Sequence, residues 1–95
     1  MYRVMKENTS GWLPSYCFDA EAPAFSSESE AVAWASEKVR CLLPGSTVST
    51  MRVERNELMG FFAADNGRGV EVKASVWTPD FWWQSQERYI VPTEK

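Results

Sequence analysis

The sequence predicts an α+β domain: a single, mostly antiparallel β-sheet of five to six strands with one α-helix laid across one face. Three observations predict it. A single stretch, from Ser27 to Leu43, carries helical periodicity with start and stop signals. Segments that alternate apolar and polar residues flank it on both sides. Strands gathered before and after a lone helix, without strict β–α alternation, belong to α+β architecture and not to a parallel sheet. The 95 residues provide for one domain, spanning 1–95.

The elements follow in chain order. Tyr2–Lys6 reads as a strand, with Tyr2, Val4 and Lys6 on one face and Arg3 and Met5 on the other. Asn8-Thr9-Ser10-Gly11 is a turn cluster. A second strand is expected from about Leu13 to Phe18, with Pro14 suited to a strand start or an edge, so residues 2–18 form an N-terminal hairpin. Residues 19–24 form a loop. Ser27, with Glu30 three residues on, fits a capping box. Val32, Ala35, Val39 and Leu42/Leu43 then mark a buried helix face, with Trp34, Lys38 and Cys41 as a second stripe beside it. Pro44-Gly45 ends the helix.

Thr47–Arg55 alternates, with Met51 and Val53 on one face and Arg52 and Glu54 on the other. Leu58–Ala64 is expected to be the next strand, joined to Val70–Thr78 by a tight turn at residues 65–69, where Asn66-Gly67 supplies the positive φ angles. In that last segment Val70, Val72, Ala74 and Val76 point one way, and Trp77 points the other. Residues 79–86 are compatible with a short helix, opened by Thr78 and Pro79, or with an edge strand. A final strand is expected over Arg88–Val91. The order is ββαβββ(α)β.

Charge and composition limit the function classes. The net charge is −3, and five acids without a base lie between Asp19 and Glu37. Such a segment repels phosphate backbones, which disfavours nucleic acid as a partner. Glu28 and Glu30 would also offset the helix dipole. With no histidine, the usual proton shuttle at neutral pH is missing. Asp65, Glu71 and Lys73 approach the carboxylate–carboxylate–lysine set of metal-dependent nucleases, but alternating charge on an outer strand face is routine. No catalytic, metal or cofactor site is expected. No stretch approaches a membrane span, and the first residues hold no apolar leader core, so a cytoplasmic location is expected. There Cys17 and Cys41 would be reduced thiols, buried or half-buried.

The aromatic residues point to function. Trp77, Phe81, Trp82, Trp83 and Tyr89 all fall near the C-terminus, three of them consecutive. Neither a helix nor a strand turns three neighbouring side chains toward one core. Trp, Tyr and Arg are enriched where binding energy concentrates. The candidate partner-binding set is therefore Trp77, Phe81, Trp82, Trp83, Arg88 and Tyr89, with Trp12 from the first hairpin loop and the acidic Glu28 and Glu30. The partner is another protein, or a second copy in a homodimer; a single-stranded nucleic-acid or small-ligand clamp is the third reading. In size, acidity and lack of catalytic groups the chain is similar to small phage- or mobile-element-encoded inhibitors that work by surface occlusion, anti-CRISPR proteins among them. That likeness implies a non-enzymatic inhibitor.

Overall fold

The computed structural model describes residues 1–8, 15–54, 68–77 and 84–93. It forms one five-stranded antiparallel sheet with one helix packed on it, the expected α+β arrangement. The strands are β1 (Met5–Asn8), β2 (Ser15–Phe18), β3 (Thr47–Glu54), β4 (Arg68–Trp77) and β5 (Gln84–Pro92), and the helix α1 is Glu28–Leu42. The order across the sheet is β2-β1-β5-β4-β3. β5 thus inserts between the N-terminal hairpin and the β3–β4 pair, and long-range pairing joins the two ends of the chain.

β1 and β2 pair antiparallel as expected, with Met5 opposite Phe18 and Lys6 opposite Cys17, but Asn8, expected in the turn, belongs to β1, and residues 9–14 lie outside the described residues. The first strand is displaced, however. It begins at Met5, and Tyr2 instead forms an isolated bridge to Phe25, with reciprocal N–H···O bonds of 2.7 and 2.8 Å. The loop entering the helix offers Tyr2 a backbone partner that local alternation does not reveal.

Ser27 caps the helix, its Oγ accepting the Glu30 N–H at 3.2 Å. At the other end the Leu43 N–H donates to the Val39 carbonyl, and Gly45 takes the left-handed conformation at φ 80° that favours glycine. The buried ridge is Ala31, Ala35 and Val39. Val32 and Leu43 are half-buried and Leu42 is exposed, so the face is turned slightly from the one expected. Spacing of four selects the ridge, and alanine lets the helix approach the strands closely. The helix lies on β4, β5 and β3.

Val70, Val72 and Ala74 of β4 are buried in the core with Val4, Tyr89 and Val91. β4 pairs with β3 from Thr47–Ser75 to Glu54–Arg68 and with β5 from Gly69–Pro92 to Trp77–Gln84. The expected strand Leu58–Ala64 and the Asn66-Gly67 turn lie outside the described residues. Arg68 and Gly69, assigned to that turn, belong to the strand instead. β5 is longer than expected, taking in residues 84–86, and it is central and not an edge.

Gly69 is required here for space. A Cβ at this position would lie 2.6 Å from the Val91 carbonyl oxygen, which is held in the central strand. Gly69→Ala is therefore expected to destabilise the fold by about 1–3 kcal/mol, the usual cost of overpacking. Urea denaturation measures it; an unchanged midpoint would contradict this backbone approach.

Candidate protein-binding surface

The two faces of the sheet have different fates. On one, α1 covers Val70, Val72 and Ala74 of β4 and Tyr89 and Val91 of β5. On the other, strand register aligns a single row from edge to edge: Phe18, Met5, Ile90, Glu71 and Met51. The middle of the row is buried, with Met5 2 % and Ile90 0 % exposed and Val53 packed against them. Its ends are open, Phe18 at 49 % and Met51 at 59 %. The Arg3 guanidinium sits over the Phe18 ring, 4.6 Å from its centroid.

A polar band follows along the strands. Arg88 lies opposite Lys73, and this pairing of like charges is relieved by Glu7, whose carboxylate is 3.4 Å from Arg88 Nη1. Gln86 accepts a further bond from Arg88 at 3.0 Å. Arg88 is thus half-buried and anchored, with its guanidinium on the helix-free side.

Trp77 ends β4 beyond this band and is 65 % exposed. Its orientation follows from strict alternation with Val70, Val72 and Ala74, which the helix covers. β3 stops opposite Ser75, so β3 pairs with no residue at the position of Trp77. The side chain is therefore carried outward by a strand whose backbone is fixed on the β5 side, opposite Gln84.

The other candidates divide. Tyr89 is not on the surface: it is fully buried, its ring stacked on Trp34 at 6.3 Å between centroids and its hydroxyl donating to Asp19 Oδ2 at 2.8 Å. It occupies the helix side of the central strand, as does Val91 two residues on. Burial, followed by the hydrogen bond to Asp19 and the charge of that carboxylate, holds its phenol well above the usual tyrosine range. Trp12, Phe81, Trp82 and Trp83 lie outside the described residues.

The acidic segment is mostly satisfied within the chain. Glu21 pairs with Lys38, whose ammonium pKa is raised chiefly by that bond, and Glu37 pairs with Arg40. Glu28 accepts from Arg52 at 2.6 Å, so it is engaged and half-buried where a free partner-facing acid was expected. Glu30 is exposed and makes no ion pair among the described residues.

Both cysteines are free and exposed, not buried. Cys41 lies on the outer helical stripe, and Cys17 on β2 is at the sheet edge away from the strands that α1 covers. A shallow hollow of about 230 Å³ near Cys17 has Lys6 and Lys38 facing Asp19 and Glu21, a mixture that selects no single ligand charge. Among the described residues no three His, Cys, Asp or Glu side chains are grouped to hold a metal ion. Of the nuclease-like set, Glu71 is buried, Lys73 is half-buried and Asp65 lies outside the described residues. No described helix is long and apolar enough to cross a membrane.

Sequence reasoning missed Phe18 and Met51 as exposed apolar positions: alternation sets Met51 on the apolar side of its strand, and its exposure follows from the edge position of β3. Comparisons with protein-family models, curated proteins and solved structures returned no match.

Proposed function

We propose that this chain is a protein-binding module that meets its partner at the exposed end of β4, on the side of the sheet opposite α1, with Trp77 serving as the anchor. The exposed indole at the end of β4 carries the reading. Burying a large apolar side chain is worth roughly 1.5–3 kcal/mol, so an indole fixed in water leaves that amount for a partner to recover. A strand-borne tryptophan also needs little ordering on binding, which favours affinity. Arg88 lies farther along the same face, opposite Lys73 and held by Glu7, and is not adjacent to the anchor. The mode is occlusion of a partner's surface, without chemistry of its own, and inhibition is the corresponding biological role.

Affinity capture from an extract of the native host tests this reading. Wild type is compared with Trp77→Ala, Trp77→Phe and the double variant Trp82→Ala/Trp83→Ala. A protein retained by wild type, held in part by Trp77→Phe and lost by Trp77→Ala is the expected result. Equal recovery by wild type and Trp77→Ala removes Trp77 from the site.

A further inference from the structure

We infer that β3 pairs with the β3 strand of a second copy, joining two sheets into one across a two-fold axis at Met51. The sheet has two edges, and they differ. β2 is four residues long, too short to template much pairing. β3 is eight residues long, and β4 is its only strand partner among the described residues. Its register with β4 advances one residue at a time without a bulge. Thr47-Val48-Ser49-Thr50-Met51-Arg52-Val53-Glu54 contains neither proline nor lysine, the residues that commonly guard an edge. Its two charges are turned to uses within the chain, Arg52 to Glu28 on the helix and Glu54 to Arg68 on β4. Among the described residues the outer row of N–H and C=O groups of β3 meets no strand; water satisfies it in a monomer, and another extended strand can take it up.

A second copy fits best because its β3 is already formed and costs little to order, unlike a flexible peptide. The strand is also electrically neutral, so it does not repel itself. Two-fold symmetry restricts the register further. Directly opposed residues in an antiparallel pair share a face, so the axis must pass through a residue and not between two. An axis at Arg52 would set Arg52 against its own copy, which like charge disfavours. An axis at Thr50 would oppose Met51 to Ser49. An axis at Met51 pairs Val48 through Glu54 of each copy, opposes no like charges, and packs Met51, the strand's most exposed apolar side chain, against its twin. Both helices then lie on one side of the joined sheet, and both Trp77 side chains lie on the other.

The inference is independent of the binding role of Trp77 and is tested without any partner. Sedimentation velocity under reducing conditions, needed because Cys17 and Cys41 are exposed, compares wild type, Met51→Lys, Met51→Glu and an equal mixture of the two variants. Wild type is expected to be a dimer. Each variant alone should show dimerisation weakened at least about tenfold, since it loses the apolar contact and opposes like charges at the axis. The mixture should recover dimers by setting Lys against Glu. The Met51 side chain faces solvent, so circular dichroism should show the same fold throughout. A wild type that stays monomeric at every loading, or a dimer indifferent to Met51→Lys, overturns the inference and leaves the edge to some other strand. A mixture that stays monomeric overturns the axis at Met51.

Discussion

Tyr89→Ala should destabilise the protein more than any other single change considered. The ring fills the centre of the core under Trp34, and its removal leaves a cavity in the central strand that neighbouring strands on both sides hold open. Removal of a buried aromatic ring costs about 3–5 kcal/mol, a large part of the roughly 5–15 kcal/mol that stabilises a domain of this kind. Tyr89→Phe keeps the ring and removes only the hydroxyl that donates to Asp19. Because Asp19 is half-exposed and water can replace the donor, the cost should be nearer about 1 kcal/mol. Chemical denaturation separates the two; equal losses would contradict the division between packing and hydrogen bond.

The same phenol makes stability sensitive to alkali. Its folded pKa is raised above the unfolded value of 10.0, so the neutral form is favoured in the folded chain. The associated stability is complete below about pH 10 and is lost as pH rises from there toward the raised value. Tyr89→Phe should flatten this part of the stability–pH curve. Parallel alkaline limbs for wild type and Tyr89→Phe would show that Tyr89 does not carry the effect.

Trp77→Ala should have the opposite character, with a small effect on folding and a large effect on binding. An exposed side chain at the end of a strand contributes within about 0.5 kcal/mol to stability. An interface anchor of this residue type contributes about 2 kcal/mol or more, roughly thirtyfold in affinity. Trp34→Ala provides the contrast. Trp34 packs against Tyr89 and Phe25 and lies under the Lys38 ammonium, so its loss should appear in stability.

Local pattern made the helix, its cap, the hairpin and the two faces of β4 legible, because each is encoded by neighbours in sequence. The outward direction of Trp77 was legible for the same reason: alternation with Val70, Val72 and Ala74 leaves it one face. Tyr89 was misplaced because its fate depends on where β5 inserts. A terminal strand read alone could be an edge; set between β1 and β4, its helix-side residues become the centre of the core. Gly69 was read as a turn residue because glycine marks turns locally, whereas its reason for being glycine is the Val91 backbone, distant in sequence. The acidic segment likewise appeared free because Arg52, the partner of Glu28, lies on another element. Pairing across the sheet decides each of these, and a single strand does not contain that information.

The role proposed for Trp77 is recognition and not folding. Its most direct test takes the protein captured from host extract and measures its affinity by titration calorimetry for wild type and Trp77→Ala, alongside their unfolding midpoints. Affinity should fall by about thirtyfold or more while the midpoint barely moves. Unchanged affinity, or a loss of affinity that merely follows a loss of fold, would contradict it.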